Sequence, residues 1–70
     1  MPIISVNMLA GRSNETKREL IRVLTEGAVA TLGVSPEAVR VLLFDVPPEH
    51  WGAGGVPKDP PVPAPGEKSS

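Results

Sequence analysis

A proline directly follows the initiator methionine, and removal of Met1, usual before so small a residue, leaves Pro2 as a secondary amine at the chain end. An α-amino group in a peptide titrates at about pH 8, and a secondary amine is intrinsically more basic. Nearby arginines lower that value by like charge, and an apolar wall lowers it by desolvating the ammonium form. A neutral amine so placed can take a proton from carbon, which makes Pro2 a candidate general base.

Three further side chains have types that suit such a base. Arg12 follows Leu9, Ala10 and Gly11, and Arg40 is the one cation of the apolar stretch Val39 to Val46. A guanidinium binds a carboxylate through two parallel hydrogen bonds. Taken alone, Arg12 reads more readily as a solvated loop charge, and Arg40 reads equally well as an edge or interface ion-pair partner. Trp51, the single tryptophan, sits in a glycine-rich turn, where so large a ring walls a pocket or an interface. His50 has no assignable Ser, Cys or carboxylate partner and reads as a turn residue. Gly52 to Gly55 lacks the lysine and hydroxyl of a phosphate loop, and Asp45 and Glu49 do not make a carboxylate pair.

The elements that must position these residues follow from periodicity. Ile3 to Leu9 alternates, with Ile4, Val6 and Met8 on one face and Ile3, Ser5, Asn7 and Leu9 on the other, as in a strand. Gly11 breaks the run, and Ser13 or Asn14 can cap a helix whose first turn carries Glu15. From Glu15 to Leu32, Leu20, Val23, Leu24, Ala28, Val29 and Leu32 recur at spacings of three and four, and Gly33 suits a left-handed C-terminal position. Ser35, Pro36 and Glu37 predict one short helical turn. Val39 to Val46 is almost unbroken in apolarity, the pattern of a strand covered on both faces. After it, the glycines between Trp51 and Val56 permit a tight turn or small hairpin.

The expected fold class is therefore α/β (α+β): a βαβ subunit with parallel strands, a short helical turn and a C-terminal hairpin. The domain is expected over residues 2–56. Residues 57–70 hold prolines at 57, 60, 61, 63 and 65 and are expected to form an extended or disordered tail. Parallel pairing separates the end of the first strand from the start of the second, so one subunit is not expected to gather Arg12 and Arg40 around Pro2; a site shared between subunits would do so.

Bulk properties bound the rest. Seventy residues with no cysteine and one histidine leave little core, no disulfide and no ready zinc site, so oligomerisation is the remaining source of buried surface. A formal charge of -1 provides no basic field for nucleic acid. No signal-peptide pattern begins the chain, and no apolar run approaches the roughly 20 residues that span a bilayer. A cytoplasmic protein without membrane or nucleic-acid partners is expected.

Taken together, Pro2-Ile3-Ile4, Leu9-Ala10-Gly11-Arg12-Ser13, Val39-Arg40-Val41 and His50-Trp51-Gly52-Ala53-Gly54-Gly55 strongly resemble the short-chain 4-oxalocrotonate tautomerase family over residues 2–56. The resemblance implies βαβ subunits that pair into dimers and commonly form a hexamer as a trimer of dimers. It implies that Pro2 is the general base, that Arg12 binds the distal carboxylate of a dienoate, and that Arg40 polarises the 2-oxo group and steadies the nearer carboxylate. Trp51 replaces the family's usual phenylalanine as the apolar wall. The implied reaction, ketonisation of a 2-hydroxy-dienoate such as 2-hydroxymuconate in aromatic degradation, uses neither cofactor nor metal.

The pattern departs from the family at Ala10, where glutamate is frequent, at Trp51, and in the proline-rich tail. The substituted wall bears on substrate identity. Other readings are a biosynthetic tautomerase or hydratase acting on another unsaturated acid, and a noncatalytic oligomeric binding protein that engages a partner through its tail. Hydration or dehalogenation of a haloacrylate is disfavoured, since residues 52–56 hold no carboxylate to activate water.

Overall fold

In the computed structural model, which describes residues 1–58, Ile3–Leu9 form β1, Asn14–Leu32 form α1 and Arg40–Val46 form β2. The two strands pair in parallel from Ile3 opposite Arg40 to Leu9 opposite Val46. This is the expected βαβ class. Each boundary has a local cause. Ser13, extended at ψ 158°, accepts a hydrogen bond from the Thr16 amide at 3.1 Å and so caps α1, with Glu15 in the first turn. Gly33, at φ 72°, ends the helix by donating its N–H to the Val29 carbonyl at 3.0 Å. The expected short turn is a 3-10 turn over Pro36–Ala38.

A second 3-10 turn, Pro48–His50, leads to a two-residue hairpin of β3 (Gly52–Ala53) and β4 (Val56–Pro57). Gly54 and Gly55 form its tip with φ of 62° and 83°, the left-handed pair that a tight hairpin turn requires. Pro57 pairs with Gly52, and the Lys58 amide donates to the Trp51 carbonyl at 2.7 Å, so ladder bonding continues past residue 56. The rest of the proline-rich tail lies outside the described residues. No helix among the described residues is long and apolar enough to cross a membrane.

Packing is one-sided. Residues opposite one another in a parallel ladder share a face, so Ile4 with Val41, Val6 with Leu43 and Met8 with Asp45 lie on the side that α1 covers. Leu20, Leu24, Ala28 and Val29 are partly buried along α1, whereas Val23 and Leu32, expected with them, are exposed. Only Met8 and Val39 are buried among the described apolar side chains. The other face of the sheet is open: Ile3 is 63% exposed, Leu42 45% and Phe44 49%. Among the described residues, β2 is thus covered on one face, not on both. Its unbroken apolarity demands cover that the described residues do not supply.

Candidate active site

The parallel register decides which candidate residues meet. Arg40 heads β2, and its backbone N–H donates to the Pro2 carbonyl at 3.0 Å, which fixes the chain end beside the first residue of the neighbouring strand. Pro2 is half-buried; Met1, ahead of it, is exposed, and its removal converts the Pro2 amide nitrogen into an amine. The Arg40 side chain is exposed and donates through Nη1 to the Glu37 carbonyl at 2.5 Å. Pro2 and Arg40 therefore share one end of the sheet.

Arg12 is at the other end. Strand pairing extends one residue past β1 through the bond from the Ala10 amide to the Val46 carbonyl at 2.9 Å. Gly11, at φ 125°, then turns the chain through a conformation strained for any L side chain. Arg12 follows, exposed, with Nη1 donating to the Leu9 carbonyl at 3.0 Å. At a rise of about 3.3 Å per residue, β1 separates the two ends by roughly 20 Å. As the parallel topology led us to expect, one chain does not bring Arg12 to Pro2. Trp51 is half-buried and lies five residues beyond Val46, so the chain leaves for it from the Arg12 end.

Neither arginine has a carboxylate partner among the described residues. The ion pairs there are Lys17 with Asp45 and Arg22 with Glu19 and Glu26. The hydrogen bond from Arg22, aided by its charge, holds the Glu19 carboxyl below its ordinary value, and Glu19 and Glu26 raise the Arg22 guanidinium. Arg12 and Arg40 are held instead by neutral backbone carbonyls, which keeps their charge available to an anion from outside the chain. A groove lined by Arg22, Thr25, Glu26, Val29, Ala30 and Pro36 runs along α1 and includes none of the four candidate residues. Among the described residues, no three His, Asp or Glu side chains converge as metal ligands.

Sequence reasoning gave Lys17 and Asp45 no structural role. Their ion pair joins the first turn of α1 to the end of β2. The available signal was a lone acid within an apolar strand, matched by a lysine near a helix start, where the dipole disfavours positive charge.

Fold and side chains together define a class: small βαβ proteins with proline after the first methionine and, at the two ends of a parallel sheet, arginines that have no carboxylate partner among the described residues. A tautomerase-enzyme family model matches residues 2–59. A probable tautomerase of Ralstonia nicotianae is 53% identical over 58 residues, which cover 83% of each chain. The 2-hydroxymuconate tautomerase of Pseudomonas fluorescens is 44% identical over 57 residues, 81% of this chain and 90% of that one. Among solved structures, TomN, a 4-oxalocrotonate tautomerase homologue in the tomaymycin biosynthetic pathway, superposes with a TM-score of 0.79 at 44% identity, covering 81% of this chain and 88% of its own. A heterohexamer 4-oxalocrotonate tautomerase from Chloroflexus aurantiacus gives a TM-score of 0.79 at 41% identity, with coverages of 83% and 94%. The chain belongs to the tautomerase family, and it is an isomerase that interconverts keto and enol tautomers.

Proposed function

We propose that the protein ketonises 2-hydroxy-dienoates such as 2-hydroxymuconate, with the Pro2 amine as base after loss of Met1. The observation that supports this is the 3.0 Å bond from the Arg40 amide to the Pro2 carbonyl, which makes Pro2 the backbone neighbour of a residue whose guanidinium has no acidic partner among the described residues. That positive charge favours the neutral amine and attracts the acid substrate.

The reaction is proton relocation. From the keto form, Pro2 takes a proton from carbon and leaves a dienolate; from the dienol, Pro2 takes the hydroxyl proton and leaves the same species. The Pro2 ammonium then returns a proton to carbon two atoms along. Arg40 stabilises the developing oxyanion and the adjacent carboxylate, Arg12 holds the distal carboxylate, and Trp51 keeps water from the amine. Neither cofactor nor metal takes part.

This scheme requires an assembly, since one chain keeps Arg12 roughly 20 Å from Pro2 by strand rise. The open face of Ile3, Leu42 and Phe44 supports one by presenting apolar surface at the protein's exterior. The proposed state is a homohexamer built from dimers, in keeping with the Chloroflexus relative's six-chain assembly. Residues 2–58, closed by the Lys58 bond to Trp51, carry the proposed catalytic domain.

Freshly prepared 2-hydroxymuconate, followed in the ultraviolet, tests the reading. Pro2→Ala and Arg40→Ala should each slow ketonisation by about 100-fold or more, the usual scale for a lost base or oxyanion partner. Equal rates in all three proteins would overturn it. The similarity to TomN, equal in identity to that of the Pseudomonas enzyme, supports a second reading in which another unsaturated acid is the substrate. A panel of dienols ranked by kcat/KM separates the two.

A further inference from the structure

Asp45 is the only carboxylate on either long strand, and it stands on the face of the sheet that α1 covers, opposite the buried Met8. The acid is solvent-exposed, and Lys17 reaches it across 28 residues of chain. Lys17 is the fourth residue of α1, where positive charge opposes the helix dipole, so its placement serves the strand rather than the helix. The pair is partly exposed and adds little to stability. What it fixes is geometry.

The segment from Ala10 to Ser13 bridges β1 and α1 and carries Arg12. At its start, the Ala10 amide is bonded to Val46 of β2. At its end, the Ser13 carbonyl accepts from the Lys17 amide at 3.1 Å, and the Lys17 side chain reaches Asp45, the neighbour of Val46. The bridge is thus fastened at both ends to consecutive residues of one strand. Gly11, at φ 125°, supplies the sharp turn within it and leaves open space where a side chain would stand.

We propose that Lys17 and Asp45 are positioning residues for Arg12, setting the point at which its guanidinium meets the distal carboxylate of the substrate. This rests on the assignment of Arg12 as the distal-carboxylate ligand. The pair acts through the segment that carries Arg12, and within its own chain it touches neither Pro2 nor Arg40, so its effect falls on recognition of that carboxylate. Its loss should raise KM for a dienol diacid and leave kcat and the handling of a dienol monoacid nearly unchanged.

The test uses full-length protein with Met1 removed and compares a dienol diacid with the matching monoacid in wild type, Asp45→Asn, Lys17→Met, Lys17→Arg and Arg12→Ala. Circular dichroism and sedimentation establish that each variant is folded and assembled. Hydrogen bonds to charged groups set the scale of the effect, so Asp45→Asn and Lys17→Met should lose roughly three- to tenfold of the diacid preference through KM. Lys17→Arg, which keeps the charge, should retain it, and Arg12→Ala should lose all of it. If Arg12→Ala abolishes the preference while Asp45→Asn and Lys17→Met keep it, the positioning role is wrong and the Arg12 assignment stands. If Arg12→Ala keeps the preference, that assignment falls, and the pair has no ligand to position.

Discussion

Replacing Phe44 by alanine should dissociate the assembly and remove activity together. Phe44 stands on the open face of β2, opposite Asn7, with 49% of its surface exposed in the single chain. An aromatic residue offers about 200 Å². Covering the exposed half and then losing it to alanine costs about 2 kcal/mol per copy at roughly 25 cal/mol per Å². That weakens association about thirtyfold per copy, and about a thousandfold where two copies meet across a two-fold axis. Sedimentation velocity over a dilution series gives the dissociation midpoint, and the dienol assay at the same concentrations gives the rate per chain. Both should fall at protein concentrations where wild type remains assembled. An unchanged midpoint would show that the open face is not the interface, and a fully active monomer would refute a site shared between subunits.

The other predictions concern the frame that holds the site. Ser13→Ala removes the α1 cap and should cost about 1 kcal/mol in chemical denaturation of the assembled protein; no change would mean that the Thr16 amide finds another partner. The contribution of Glu19 to stability should be complete above its ordinary carboxyl value of 4.5 and lost as the pH falls through its lowered folded value, because Arg22 favours the ionised form. Arg22→Gln should diminish that acid-side dependence, and an identical pH profile in the variant would contradict the pairing. Deleting residues 59–70, which spares the Lys58 bond to Trp51, should leave both sedimentation and turnover unchanged; a monomeric product would assign the tail a part in assembly.

The elements legible in the sequence were those with local causes. Ser13, Glu15 and Gly33 announced the limits of α1, the paired glycines announced the hairpin tip, and alternation sorted Ile4, Val6 and Met8 onto the covered face. Where the reading failed, the cause was nonlocal. Val23 and Leu32 fit the helical period yet lie exposed, because a sheet of two strands is narrower than the apolar stripe facing it. The apolarity of β2 indicated cover on both faces, but the described residues supply only one of them. The Lys17 and Asp45 pair depends on where a helix start falls against a strand end, which no spacing in the sequence encodes. Site residues were legible by type and motif. Their separation followed from parallel pairing, whereas the bond between Pro2 and Arg40 needed the register.

The central claim is that the nitrogen of Pro2 moves the proton, and processing at Met1 provides its most direct test. Protein with Met1 fully removed and protein that retains it, distinguished by intact mass, are compared on a fresh dienol at equal concentration and equal assembly. The processed form should turn the dienol over, while the form with Met1, whose proline nitrogen is an amide, should fall to the background rate. Equal turnover by the two forms would contradict the proline-base mechanism.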